Sequence, residues 1–195
     1  MIITKEYPYK IGKQYNKKDF NLIINNDQKV YLHDKNHILF SFHKNIVDNE
    51  KYFPLLEKYY NTPILTSRNR KTATGKKLGT NETTPSGILG FIDTIPPQYK
   101  KKLNGLSKAA RKTKFLIEKE KGWKETISLY QDIDKIFKKS EPKYYKIQKK
   151  EYDKIHHDLK IPRTNFTTIT VNRNWRTAAH TDKGDLQNGL SCMYW

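Results

Sequence analysis

The chain has 195 residues, of which 35% are hydrophobic, and 38 Lys and Arg against 20 Asp and Glu give a formal charge of +18. This length suits one domain, or one domain with an appended subdomain. A single cysteine, Cys192, excludes an internal disulfide framework, and no apolar run reaches the length of a transmembrane helix. We therefore expect a soluble protein of a reducing, intracellular compartment, either nucleus or cytoplasm.

The positive charge favours a polyanionic partner, and nucleic acid is the commonest polyanion inside a cell. An anionic membrane surface is the weaker alternative, because no basic amphipathic helix with a clean apolar face stands out in the sequence. Lysine, asparagine, isoleucine and tyrosine are also favoured by A+T-rich coding. A+T-rich coding therefore explains part of the positive charge, and such coding is compatible with a viral origin.

The first third of the chain predicts a small subdomain. Residues 29–47 indicate two strands around the turn "HDKN", because apolar residues alternate with period two on both sides of it. Residues 51–65 suggest a short helix that ends before Pro63. Together these elements define an N-terminal β-hairpin and short-helix subdomain over residues 1–65.

A stretch without apolar periodicity follows, "TSRNRKTATGKKLGTNETTPSG". A loop of this length inside a compact domain is usually either disordered or functional. Its glycines and lysines do not stand in the order of a phosphate-binding loop. The next residues, "SGILGFID", predict a buried strand from Ile88 to Ile92.

Between Lys100 and Leu159 the pattern predicts three helices. "LSKAARKTKFLIEKE" indicates a cationic, partly solvated helix. Ser140 or Glu141 opens the third helix, in which Pro142 takes a favoured first-turn position. The second helix, "WKETISLYQDIDKIFKK", carries a stripe that we assign to packing, namely Trp123, Ile127, Tyr130, Ile133 and Phe137.

After "KIPRTN" the apolar period switches to two. "FTTITVN", residues 166–172, predicts a strand because it is rich in β-branched residues. "NWRTAAH" is expected to continue the strand after a bulge or turn, and "LSCMYW" to begin another one.

His180 and Asp182 are two residues apart, so on a strand their side chains face the same side. With a second histidine from a distant strand, they would form the two-histidine, one-carboxylate face that holds non-haem Fe(II). The spacing alone is a weak signal, because "HHDL" repeats it at His156 and Asp158. We expect that second pair to cap a helix and bind water.

The stretch "FTTITVNRNWRTAAHTDKGDLQNGLSCM" resembles the 2-oxoglutarate/Fe(II) dioxygenases of the TET/JBP type, which hydroxylate the 5-methyl group of pyrimidines in nucleic acid. In their fungal, protist and viral relatives, an Asn-x-Asn-aromatic-Arg run like residues 172–176 precedes the H-x-D. "TPSGILGFID" and "EPKYYKIQ" also look like family segments, so the resemblance covers roughly residues 64–195. It implies an α+β fold with a partial double-stranded β-helix, of the jelly-roll or cupin-like kind, flanked by helices and N-terminal strands.

The resemblance also implies roles for individual residues. His180 and Asp182 would be the first two iron ligands, and we expect no catalytic residue beyond the metal ligands. Asp185 matches the position that contacts the Watson–Crick edge of the flipped base. Arg176 and Ser86 are candidates to hold the carboxylates of 2-oxoglutarate. Alternatively, Arg176 pairs with a neighbouring acid and Ser86 permits a tight turn.

The chain departs from the family pattern just before Ser86. Some members carry an arginine there, where this chain has Thr84 and Pro85, and Arg68 or Arg70 could take over its role. The lysine-rich helix and the long loop would contact phosphates, with candidates at Arg68, Arg70, Lys76, Lys77, Lys108 and Arg111.

The third iron ligand is not evident, because no histidine follows His180 in the sequence. In the family this histidine, and an arginine for 2-oxoglutarate, lie on the closing strands. We therefore expect residues 66–195 to be the front part of a dioxygenase domain. A missing C-terminal segment or a second polypeptide would complete it, and an inactive remnant is the third explanation.

Two hypotheses remain open. The leading one is a dioxygenase that uses Fe(II) and 2-oxoglutarate to oxidise thymine or 5-methylcytosine in nucleic acid, with DNA the favoured target. The alternative is a non-catalytic basic DNA-binding or virion-packaging protein that retains the front of the fold.

Overall fold

A computed structural model describes residues 2–3, 9–32, 37–60, 86–92, 111–173, 177–180, 186 and 188–194. They belong to two compact units, each described by itself. The first unit includes residues 9–32, 37–49 and 177–180, and the second includes most of the remaining described residues. Among the helices described, none combines the length and the apolar character needed to cross a bilayer.

The first unit contains a three-stranded sheet in the order β1-β2-β3, made of β1 (Ile2–Ile3), β2 (Gln28–Leu32) and β3 (Ile38–Phe42). β1 runs parallel to β2, and β2 runs antiparallel to β3. Val30 is fully buried and lies opposite Phe40, next to a register shift. The two strands predicted within residues 29–47 are confirmed, while the turn at 33–36 lies outside the described residues.

The second unit contains another three-stranded sheet, in the order β5-β4-β6 and antiparallel throughout. Its strands are β4 (Ser86–Ile92), β5 (Arg111–Lys112) and β6 (Thr168–Asn172). β4 and β6 confirm the strands predicted at 88–92 and 166–172. At Gly90 the backbone takes a φ of +101°, and a Cβ there would overlap the carbonyl oxygen of Thr167. Glycine is therefore required where β6 approaches β4.

Four α-helices are described. α1 (Asn49–Tyr60) confirms the short helix predicted after the hairpin, and α4 (Pro142–Tyr152) begins at the predicted proline. α3 (Glu120–Ser140) corresponds to the second predicted helix. The first predicted helix is corrected: α2 spans only Lys114–Glu118, because Arg111 and Lys112 pair with β4 instead.

The buried face of α3 differs in part from the predicted stripe. Trp123, Tyr130 and Phe137 are buried as expected, but Ile127 and Ile133 are only half-buried. The full set of buried residues follows the i, i+3, i+4 pattern of an amphipathic helix and comprises Gly122, Trp123, Thr126, Leu129, Tyr130, Asp134 and Phe137.

Tyrosine hydroxyls connect α1 to α3. The Tyr52 hydroxyl donates to the Asp132 carboxylate, and the Tyr60 hydroxyl lies 2.7 Å from the Tyr130 hydroxyl and 3.0 Å from the Thr126 hydroxyl. Each buried hydroxyl of this group therefore has a partner, which avoids the cost of burying an unsatisfied polar group. Burial raises the pKa of Tyr60 and Tyr130, so both remain protonated donors at neutral pH.

Two predicted strands near the C-terminus are not present in the described residues. Residues 177–180 and 190–194 lie outside regular secondary structure. The amide of Leu190 donates instead to the Gln148 side chain at 3.0 Å. The described part of the chain is thus a mixed α and β structure with two small sheets.

Candidate functional site

The imidazole of His180 is half-buried and is oriented by a backbone contact. Its Nδ1 atom lies 2.6 Å from the carbonyl oxygen of Ala178, which is itself 1% exposed. A carbonyl oxygen only accepts hydrogen bonds, so Nδ1 carries the proton and donates it. In the neutral ring, the lone pair that can bind a metal then belongs to Nε2.

The backbone around His180 is connected to the N-terminal part of the same unit. The Gly12 amide donates to the Ala179 carbonyl at 2.8 Å, and the Ala179 amide donates to the Lys13 carbonyl at 2.9 Å. Lys10 to Lys13 form a turn closed by a 3.1 Å hydrogen bond, with Gly12 at a φ of +83°. Glycine at this turn position accepts a positive φ without strain. The sequence "IGK", residues 11–13, is typical of a turn, but the pairing of this turn with Ala179 was not predicted.

The hydrogen bond of His180 to a carbonyl oxygen is of the kind seen at metal-binding histidines. Metal-binding histidines commonly donate their second ring nitrogen to a carbonyl or carboxylate, which fixes the tautomer and raises the basicity of the ligating nitrogen. The bond from His180 to Ala178 is of this kind. Three other predicted site residues lie outside the described residues, namely Arg176, Asp182 and Asp185.

Pairing between β4 and β6 brings two of the sequence motifs together. Ser86, the first residue of β4, is paired in register with Asn172, where the Asn172–Arg176 run begins. The start of the Ser-Gly strand and the first residue of the run are therefore neighbours in one sheet. This pairing fixes the position of the Ser86 backbone in the sheet.

One predicted phosphate contact is described. Arg111 is half-buried at the start of β5 and lies opposite Ile92. The other predicted phosphate contacts are outside the described residues, namely Arg68, Arg70, Lys76, Lys77 and Lys108.

A second group of potential metal ligands lies after α4. His156, His157 and Asp158 each offer one ligand atom, and these atoms lie within 4.8 Å of one another. The amide of Asp158 donates to Nδ1 of His156 at 3.4 Å, so His156 caps the short 3-10 helix His157–Leu159 as expected from the sequence. The contribution of His157 to this group was not predicted.

The His156–Asp158 group is a poor location for an oxygenase centre. The three side chains are between 62% and 81% exposed. Oxygenase chemistry requires a site from which bulk water is excluded, so that a reactive oxidant is not lost to side reactions. This group can bind a cation at the surface, but His180 is the better-shielded imidazole.

Residues 97–194 match the family model Tet_JBP, the oxygenase domain of the 2OGFeDO superfamily. The chain belongs to this family. The superfamily implies Fe(II) and 2-oxoglutarate, and the matched region contains α2, α3, α4, β5, β6 and His180.

Several curated proteins are similar to most of the chain. Thymine dioxygenase JBP1 of Crithidia fasciculata is 32% identical over 130 residues, covering 67% of this chain and 15% of the relative. The bifunctional helicase and thymine dioxygenase JBP2 of Leishmania braziliensis is 33% identical over 131 residues, covering 66% and 10%. The corresponding JBP2 of Trypanosoma cruzi is 33% identical over 133 residues, covering 66% and 11%. The chain therefore matches a small fraction of each relative's length. No solved structure matches the chain.

Proposed function

We propose that this protein is a 2-oxoglutarate/Fe(II)-dependent dioxygenase that hydroxylates the 5-methyl group of a pyrimidine in DNA. The observation that carries the proposal is the 2.6 Å hydrogen bond from His180 to Ala178, which orients the imidazole for metal binding inside an H-x-D sequence. The curated relatives are named thymine dioxygenases, so thymine is the preferred base and 5-methylcytosine the alternative.

In this proposal His180 and Asp182 bind the iron, through Nε2 of the imidazole and a carboxylate oxygen. Bound Fe(II), together with 2-oxoglutarate and dioxygen, would supply the oxidising power that a methyl carbon requires. Arg176 and Ser86 would hold the carboxylates of 2-oxoglutarate, with Arg68 or Arg70 as a further candidate for that role. Asp185 would accept a hydrogen bond from the flipped base.

The complete site needs a second histidine and an arginine. We propose that a further C-terminal segment or a second polypeptide supplies both, and that they complete a double-stranded β-helix over the region that starts at residue 66. The candidate cations from Arg68 to Arg111 would contact the phosphates of the DNA, and action on DNA would locate the protein to the nucleus or to a viral replication site.

Anaerobic addition of Fe(II) and 2-oxoglutarate to the full-length protein tests the metal site. We expect a weak visible charge-transfer band, and we expect His180→Ala to abolish it. His156→Ala and His157→Ala are matched controls, because each removes one imidazole from the exposed group. A band that survives His180→Ala, or that depends on the two control histidines instead, contradicts the assignment.

The alternative function is a non-catalytic basic DNA-binding or packaging protein, favoured by the formal charge of +18. It predicts strongly salt-dependent DNA binding, with no charge-transfer band and no oxidised base. Mass spectrometry of thymine- and 5-methylcytosine-containing duplexes after aerobic incubation distinguishes the two functions, because the dioxygenase adds one oxygen atom to the base.

A further inference from the structure

A basic cleft of about 450 Å³ lies between α4 and the loop at residues 160–165. We define the basic cleft by its basic side chains, Lys149, His157, Lys160 and Arg163. No acidic residue lines it within the part of the chain that the structure describes. Asp153 pairs with Lys149 at 2.7 Å and Asp158 with His157 at 3.1 Å, so the uncompensated charge is concentrated at Lys160 and Arg163.

The loop that forms one wall of the basic cleft is held by a buried carboxylate. Asp134 is 5% exposed, its Oδ1 accepts the amide of Asn165 at 2.6 Å, and its Oδ2 accepts the Tyr145 hydroxyl at 3.0 Å. Burial, with the hydrogen bond to Asp134, raises the pKa of Tyr145 to about 12, so this hydroxyl keeps its proton at neutral pH. The cleft wall is therefore preorganised before any ligand arrives.

Further hydrogen bonds fix the same loop. The Tyr152 hydroxyl donates to the Ile161 carbonyl at 3.1 Å, and the Gln131 side chain donates to the Pro162 carbonyl at 3.0 Å. The Lys160 ammonium lies 4.5 Å from the centre of the Tyr152 ring, a cation–π distance that retains the charge at the cleft. Both α3 and α4 thus anchor the segment that carries the two cations.

Arg163 occupies an uncommon backbone conformation for its residue type. Its φ is +59°, in the left-handed region where side chains other than glycine are disfavoured, and its side chain is exposed. Among the described residues, no carboxylate pairs with it. Retention of a strained backbone on a rigid loop is typical of functional positions. Here the strain presents a guanidinium at the rim of the cleft.

We propose that the basic cleft binds a phosphate group of a nucleic-acid backbone, through Lys160 and Arg163. A guanidinium offers two parallel donors to a phosphate, and an adjacent ammonium adds a second charge-assisted bond. The choice of a polymer over a free phosphate rests on the proposed function, whereas the phosphate chemistry follows from the residues themselves.

Fluorescence anisotropy with a short DNA duplex tests this inference on the full-length protein, without Fe(II) or 2-oxoglutarate. The double variant Lys160→Glu/Arg163→Glu is expected to bind about tenfold more weakly, and the slope of log affinity against log salt should fall by about two. Lys18→Glu/Lys139→Glu is the matched control, because it changes the net charge equally at exposed positions away from the cleft and outside the lysine-rich helix. The control should have the smaller effect on both quantities.

Arg163→Gly separates loss of binding from loss of folding. Glycine is favourable at a φ of +59°, so this variant should be at least as stable as the wild type while it lacks the guanidinium. Weaker DNA binding by a protein of equal or greater thermal stability supports the proposal. Wild-type affinity in both Arg163→Gly and the double glutamate variant overturns it.

A second experiment uses inorganic phosphate as the ligand of the basic cleft. If a phosphate titration followed by NMR perturbs the basic cleft while DNA affinity is insensitive to the cleft variants, the site takes small phosphates and the assignment to a polymer is wrong. The charge-transfer band from Fe(II) and 2-oxoglutarate should be unchanged in all of these variants. Failure of the cleft inference is therefore distinguishable from failure of the proposed dioxygenase function.

Discussion

The helices of the second unit and the segment that carries His180 are held in different ways. α1, α3 and α4 are connected through buried side chains, such as the hydroxyl of Tyr60 and the carboxylate of Asp134. Residues 177–180 are held by backbone hydrogen bonds to Gly12 and Lys13, from the opposite end of the sequence. The helical scaffold is therefore encoded by side chains at regular spacing, whereas the orientation of His180 depends on main-chain contacts to a turn in which Gly12 has a positive φ.

This difference predicts how the two regions respond to substitution. Loss of a buried partner in the scaffold leaves an unsatisfied polar group or a steric clash, which lowers the free energy of unfolding strongly. Truncation of His180 leaves the backbone hydrogen bonds of Ala179 in place, so His180→Ala should alter metal binding more than stability.

The largest effect is expected for Gly90→Ala. The new Cβ would overlap the Thr167 carbonyl and would also require a φ of +101°, so we expect a loss of about 4 kcal/mol in the free energy of unfolding. Gly12→Ala is the matched control in the other unit, because Gly12 has a φ of +83° but no atom within 4 Å of the new Cβ. Its cost should be about 1 kcal/mol. Urea unfolding measures both, and equal costs would contradict the contrast between the regions.

A smaller effect is expected for Asp134→Ala. The substitution leaves the amide of Asn165 and the hydroxyl of Tyr145 without their acceptor, and we expect a loss of about 3 kcal/mol. Glu151→Ala is the control, because this carboxylate pairs with the exposed Lys154 and should contribute less than about 1 kcal/mol. Hydrogen exchange at Asn165 provides a local readout: unchanged protection in Asp134→Ala would show that the carboxylate does not hold the loop.

Much of the scaffold could be predicted from local patterns. The apolar spacing of α3, the proline at the start of α4 and the β-branched residues of β6 each indicate their element within a few residues of sequence. Burial of Thr126 and Asp134 could not be predicted in the same way. Both are polar, and each has a partner from a distant segment: Tyr60 contacts the Thr126 hydroxyl, which also donates to the Gly122 carbonyl, and the Asn165 amide donates to Asp134.

The candidate site could be predicted only in part. The H-x-D spacing predicts His180 as a metal ligand. The strand expected over "NWRTAAH" is wrong at residues 177–180, where the backbone partner is the turn at Gly12. Such a pairing joins segments that no local periodicity connects. The basic cleft was missed for a related reason: Lys160 and Arg163 stand in a short loop, and only the fold brings them beside α4.

The smallest effect is expected at Asp132, which lies on the exposed side of the contact between α1 and α3. Hydrogen bonds from Lys135 and then from Tyr52 lower the pKa of Asp132 from 3.8 to about 2. A lowered pKa in the folded state contributes stability that is fully present above the unfolded value of 3.8 and is lost as pH falls through about 2.

Asp132→Asn should therefore lower the free energy of unfolding at neutral pH by less than about 1 kcal/mol, because the carboxylate is partly solvated. It should also flatten the dependence of the urea midpoint on pH between about 4 and 2, the window set by the two pKa values. Tyr52→Phe removes one donor and retains Lys135, so it should flatten this dependence only in part. If Asp132→Asn keeps the wild-type slope across this window, the acid sensitivity of the scaffold arises elsewhere. The difference between the helical scaffold and the His180 segment would then depend only on the buried side chains of the scaffold.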